Sequence, residues 1–167
     1  MIDARIAKVG MVLALAAFAM TVAYNNVVDF NTNYVYVQHV FSMDTVFPDS
    51  TLKGRAIVSE PVWLAGYWLI IVCEAVIGVL LLLGAIAMWR ARRLPAAAFR
   101  RAKTLVYAGA TLGFLLWFFG FVVVGGEWFL MWQSRTWNGI QPAFRIYLSI
   151  LVVLIFVNQP DPDLDTP

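Results

Sequence analysis

Cysteine and histidine each occur once, as Cys73 and His39, and charged residues make up only 13% of the 167-residue chain. A single cysteine excludes an internal disulfide framework and any zinc site built on several thiolates. Cys73 lies inside an apolar run, where it reads as a small hydrophobe. A single histidine excludes bis-histidine haem ligation within the chain, leaving only haem shared with a partner chain. There is no Gly-rich phosphate loop, no Gly-x-Ser-x-Gly elbow and no zinc-protease helix, and no nucleophile is paired with a base. No catalytic, cofactor or metal residues are expected, and no nucleic-acid partner.

What the chain does have is apolar surface. Hydrophobic residues are 62% of it, and the mean hydropathy is +0.77. A soluble domain carries about 25% charged residues, so the excess apolar surface here must be covered by lipid. Four apolar segments, at about 6–24, 61–89, 104–124 and 140–157, are each long enough to cross roughly 30 Å of hydrocarbon as a helix. Pro142 and Arg145 shorten the apolar part of the fourth. Helices are the default because each backbone group must find a partner within its own segment. The expected fold is an all-α membrane protein, a four-helix transmembrane bundle in one domain over 1–157. An acidic, disordered tail over 158–167 follows, built on Asp161, Asp163 and Asp165.

The first segment also fits a cleaved signal peptide, since Arg5 and Lys8 precede an Ala-rich run and Thr21-Val22-Ala23 follows it. The run is longer than a usual signal core and lacks a small-x-small ending, so a retained helix is expected. Orientation follows from the basic residues. Arg90, Arg92, Arg93, Arg100, Arg101 and Lys103 share one short connection, and with Arg5 and Lys8 they put eight of the twelve Lys and Arg residues on one face. Short basic loops stay cytoplasmic, which predicts an inner-membrane protein with both termini inside and loops 25–60 and 125–140 outside. Trp63, Trp68, Trp128, Trp132 and Trp137 fall at the outer ends, where indoles prefer to sit.

Both outer loops are expected to carry short interfacial helices. Phe30, Tyr34, Val37 and Phe41 recur at helical spacing, with Thr32 as an N-cap. In the second loop Gly125-Gly126 is expected to end the third span. A helix over 127–135 then puts Trp128, Met131 and Trp132 on one face, before an Asn138-Gly139 turn.

Several stretches carry a resemblance: Asn25-Asn26 with Asp29, Asn31 and Asn33; Gln38-His39-Val40-Phe41-Ser42-Met43-Asp44; Glu127-Trp128-Phe129-Leu130-Met131-Trp132; and Trp137-Asn138-Gly139 up to Arg145. Together they resemble a family of bacterial "predicted small integral membrane proteins", a conserved domain of unknown function. The resemblance implies the four-helix architecture and a membrane location, and no activity.

Glu74 is the most informative single residue. It is the only charge between Glu60 and Arg90 and falls near the midpoint of the second apolar run. A carboxyl group there costs roughly 2.5–3.5 kcal/mol on insertion scales. It therefore needs a partner, a wet cavity or its proton. Its helical stripe includes Gly78 and Ala85, small enough for another helix to approach closely. Few polar residues are expected at its depth, Thr21 and Thr111 being the nearest in the other spans. That isolation favours a buried contact between helices or subunits over a proton pathway.

In the outer loops His39, Asp44, Glu127, Trp128, Trp132, Arg135, Trp137 and Arg145 are candidates for partner docking or lipid contact. Asp29, His39 and Asp44 are possible metal ligands by type, but their spacing matches no known site. Arg135 and Arg145 are expected to pair with Glu60 or Glu127 and fix the loop. The leading functional expectation is a non-catalytic structural or accessory subunit of an inner-membrane assembly, or a homo-oligomer. The alternative is a small transporter, channel or binder of a lipid-soluble, quinone-like ligand centred on Glu74. An enzyme comes third.

Overall fold

The computed structural model describes residues 2–161, and all its regular structure is helical. In chain order the helices are α1 (Ile2–Val28), α2 (Phe30–Ser42), α3 (Glu60–Ala91), α4 (Ala96–Arg101), α5 (Thr104–Phe114) and α6 (Ile140–Asn158). Helix α5 continues without a break as a π-helix over Leu115–Trp128. Four helices are long and apolar enough to cross a membrane: Asp3–Val28, Glu60–Ala91, Ala96–Trp128 and Ile140–Asn158. At 1.5 Å per residue α3 is about 48 Å long, well beyond the hydrocarbon thickness of about 30 Å.

The four long helices close into a ring. Helix α3 packs on α1 and α5, while α6 packs on α1, α5 and the π segment. Glycines set the tightest approaches. A Cβ on Gly78 would lie 3.1 Å from the backbone nitrogen of Met20, and one on Gly84 would lie 2.9 Å from that of Val106. The close approach expected at Gly78 is thus made by α1, and α5 approaches at Gly84. Val12, Ala16, Ala85, Met88 and Phe99 fill the core between them.

The two ends of the bundle differ. At the basic end, Arg5 is buried and donates to the carbonyls of Arg92 (3.1 Å) and Leu94 (2.7 Å), capping the exit of α3. Its guanidinium lies over the Phe99 ring, 4.9 Å from the centroid. Lys8 donates to the carbonyl of Gln159 and Lys103 to that of Val157, each at 2.7 Å. Both ammonium groups also bond the carboxylate of Asp161, Lys8 at 2.8 Å. Residues 158–161 are therefore tied to α1 and α5, contrary to a disordered tail beginning at 158. The rest of that tail lies outside the described residues.

At the other end, the two loops form a layer over the bundle. Val40, Met43, Val46, Phe129, Leu130 and Met131 make a separate apolar cluster there. The Ile57 amide donates to the Phe41 carbonyl (2.8 Å), and the Phe47 amide donates to the Gln133 side chain (2.9 Å). Three expectations are corrected in this layer. The N-cap position of α2 is Asp29, because α1 runs as far as Val28, and the Thr32 hydroxyl instead donates to Asp29 at 2.9 Å. Gly125 and Gly126 do not end the third span. They lie buried inside the π-helix, with Met131 and Ile140 packed 3.4 and 3.1 Å from where their Cβ atoms would be.

The helix expected over 127–135 is replaced by one 3₁₀ turn, Met131–Gln133. Leu130, in the left-handed region at φ 56°, turns the chain so that Met131 points inward while Trp128 and Trp132 stay exposed. The three side chains do not share a face. Burial of Met131 decides the outcome: its sulfur accepts from the Tyr36 hydroxyl (2.7 Å) and the Gly139 amide (3.4 Å).

Candidate functional site

Glu74 is 2% exposed, and its partner comes from α1. The Asn26 amide nitrogen donates to Glu74 Oε2 at 2.7 Å. The Asn33 amide nitrogen donates in turn to the Asn26 side-chain oxygen, also at 2.7 Å. The Tyr67 hydroxyl donates to the Asn26 backbone carbonyl at 3.0 Å. One asparagine therefore links α1, α2 and α3 through three hydrogen bonds. A buried carboxyl group needs such donors, and a connected network is worth more than its separate bonds.

The network corrects the expected isolation of Glu74. Its companions are Asn26, Asn33 and Tyr67 rather than Thr21 or Thr111. Glu74 is near the middle of α3, yet its partner is two residues from the end of α1. Along α3 it lies about 26 Å from Ala91 and about 21 Å from Glu60, counting 1.5 Å per residue, close to the midpoint of the helix.

Glu74, Asn26, Asn33, Tyr67 and Tyr36 all line a chamber of about 280 Å³ between the helices, closed on the far side by Trp117 and Phe121 of the π segment. Burial pushes the Tyr36 phenol up to about 12, partly offset by the Gly139 backbone, so it remains a neutral donor at ordinary pH. A second cavity, a groove of about 360 Å³, lies between α3 and the π segment, roofed by α2. Its walls are apolar, with Leu69, Cys73, Leu116, Phe119 and Val124 among them. Tyr36, Val37, Ile70 and Phe121 line both cavities, so the polar chamber and the apolar groove are adjacent.

The π-helix helps to form this opening. Its Phe129 amide reaches the Val124 carbonyl at 3.0 Å, the i→i+5 pattern. Such turns are rare and are often found at functional sites. In the basic half α5 packs on α3, whereas the π segment packs on α6 and leaves the groove on its α3 side. Gly120 lines that groove, and a Cβ there would meet nothing nearer than the Leu116 side chain at 3.9 Å.

Of the loop-end candidates, three come together. His39 Nδ1 is 2.7 Å from Asp44 Oδ2, and the His39 ring stacks on Trp137 at 4.4 Å. Asp29 is engaged with Thr32 instead, so it does not join His39 and Asp44. Glu127, Arg135 and Arg145 are exposed, and no ion pair among the described residues joins them to each other or to Glu60. Their charged groups have solvent or headgroups available, which offsets the benefit of pairing. Trp128 and Trp132 are exposed, and Arg55 stacks over Trp128 at 4.4 Å.

Residues 4–160 match the family described as "Predicted small integral membrane protein (DUF2165)". The chain belongs to that family. Its description gives a membrane location and no activity, in agreement with the four membrane-length helices. No curated protein and no solved structure matches the chain.

Sequence reasoning missed Asn26, Asn33, Tyr36 and Tyr67 as site residues. A usable signal existed for Tyr67, which shares the helical stripe of Glu74 at i−7. What no local pattern conveys is that α2 folds back to bring Asn33 against Asn26, which α1 holds beside Glu74 of α3.

Proposed function

We propose that this protein binds a lipid-soluble molecule with a hydrogen-bonding head, such as a quinone, in the loop half of the bundle. The observation that carries this reading is the adjacency of a polar chamber and an apolar groove. Glu74, Asn26, Asn33 and the two phenols supply donors and acceptors for the head. The groove suits an acyl or isoprenoid chain. A ligand site is typically an apolar cavity with a few convergent polar groups, and the combined volume falls in the usual range of about 300–1,000 Å³. The network around Glu74 also moves weight from the scaffold reading to this one, because the carboxyl group is partnered within a single chain. The basic end faces the cytoplasm of a bacterial inner membrane in this reading, and the first helix is retained.

The test is quenching of tryptophan fluorescence by a short-chain quinone in reconstituted protein, since Trp117 lines the chamber. Glu74→Gln should weaken quenching about fivefold, the loss of one hydrogen bond to the carboxyl group. Gly120→Leu should fill the groove and weaken it as much. Quenching no greater than simple partition into lipid, or unchanged in both variants, overturns the reading.

The accessory-subunit or homo-oligomer reading stands second, favoured by the exposed Trp128, Trp132 and Phe47 at the loop end. Purification in mild detergent tests it. A single monomeric species in the micelle counts against it.

A further inference from the structure

At the basic end a third cavity, of about 300 Å³, is lined by Arg100, Lys103, Tyr107, Asn158 and Asp161. It is remote from Glu74 and independent of the ligand reading above. Arg100, Lys103 and Tyr107 are spaced i, i+3, i+7, so they share one face of the α4–α5 segment. The Tyr107 hydroxyl donates to the Asn158 side chain at 3.0 Å and closes the far wall.

Among the described residues the basic and acidic groups do not balance. Lys8 and Lys103 have side chains only 3% and 2% exposed, and both are satisfied by the one carboxylate of Asp161. Two buried lysines against one carboxylate leave an excess basic group among the described residues. Arg100 adds another at the mouth of the cavity, and no hydrogen bond or ion pair among the described residues engages its guanidinium. Guanidinium and ammonium groups converging on a polar pocket recognise phosphate oxygens, the guanidinium in a planar two-point fashion.

We infer that this cavity binds a phosphate group, with Arg100 and Lys103 as its cationic contacts and Asp161 as a built-in competing anion. Asp161 holds the ammonium groups in place when the site is empty and opposes the incoming charge. The phosphate belongs either to an anionic lipid headgroup or to a free anion in solution.

Thermal unfolding of the purified full chain in detergent separates these sources. The protein is titrated with phosphatidylglycerol, with phosphatidylcholine and with inorganic phosphate. Phosphatidylglycerol should raise the melting temperature saturably. Phosphatidylcholine, with no net charge, should do so weakly. A shift of equal size with inorganic phosphate assigns the site to the free anion, and no such shift assigns it to the lipid. Arg100→Glu should weaken the response at least fivefold, the loss of about 1 kcal/mol or more of headgroup attraction. Asp161→Asn should strengthen it. Arg101→Glu is the control, a charge change on the same short helix outside the cavity lining. Equal losses from Arg100→Glu and Arg101→Glu, or no loss from either, overturn the site and leave only diffuse attraction to a basic face. Arg100 is exposed, so its substitution leaves the fold intact even if Asp161→Asn does not.

Discussion

The basic end of the bundle is tied together by buried cations, and the loop end is built around a chamber and a groove. At the basic end Arg5, Lys8 and Lys103 are buried, each bonded to a carbonyl at a helix exit, and Asp161 joins two of them. At the loop end the helices part around a chamber and a groove, and a second layer of chain covers the opening. Both ends bury polar groups, but to different purpose. The cations at the basic end cap α3 and α6 and so lock helices together. The polar groups at the loop end satisfy each other across three helices while still lining space a ligand can occupy. The contrast shows that buried polar groups can lock helices together at one end of a bundle and line a cavity at the other.

The largest expected effect comes from breaking the cation clamp at the basic end. Asp161→Asn leaves two buried ammonium groups without their carboxylate and should cost about 3 kcal/mol or more, read as a lower melting temperature in detergent. A cost near zero would remove the idea of a charge lock. The same clamp has a pH signature. Burial works against the Asp161 carboxylate, but hydrogen bonds from Lys103 and Lys8 outweigh it and hold its pKa below the usual 3.8. A folded value below the unfolded one means its contribution is complete above pH 3.8 and is lost as pH falls through the folded value. The melting temperatures of the wild type and Asp161→Asn should therefore differ at neutral pH and converge only below 3.8.

Overpacking should cost less. Gly84→Leu forces side-chain atoms against the Val106 backbone, 2.9 Å from where the Cβ would stand, and should destabilise by about 1–3 kcal/mol in the same assay. At the open end Asn26→Leu removes the donor to Glu74 and should cost about 1–3 kcal/mol, towards the low end because the chamber beside the carboxyl can admit water. A loss as large as that of Asp161→Asn would mean that the network at the loop end locks helices as strongly as the clamp at the basic end. Gly120→Leu should change stability by no more than about 0.5 kcal/mol, since it projects into open space, while still blocking the groove. A large loss there would mean that the groove is not free volume.

Much of the fold was legible in the sequence because a bilayer imposes long apolar runs that local composition reveals directly. The four spans, the helix at 30–42 and the close approach at Gly78 all follow from periodicity and side-chain size. The helix boundaries were less legible. Gly125-Gly126 reads as a stop signal, yet the glycines continue into a π-helix because Met131 and Ile140 need the room their missing side chains leave. The helix expected at 127–135 failed for a related reason, since the inward turn at Leu130 buries Met131.

The candidate site was half legible. Glu74 announces itself because a lone carboxyl in an apolar run must have a physical justification. Its partners do not, because asparagines at a loop entrance look like ordinary turn and cap residues. The sequence by itself determined the membrane-spanning bundle, the basic face and the anomaly at Glu74, since each follows from the cost of putting charge or unpaired backbone into hydrocarbon. Only the tertiary structure decided which residues satisfy Glu74, that Asp161 binds two lysines, and that space remains between α3 and the π segment. Those outcomes depend on contacts between residues 48 to 153 positions apart, and no local pattern carries them.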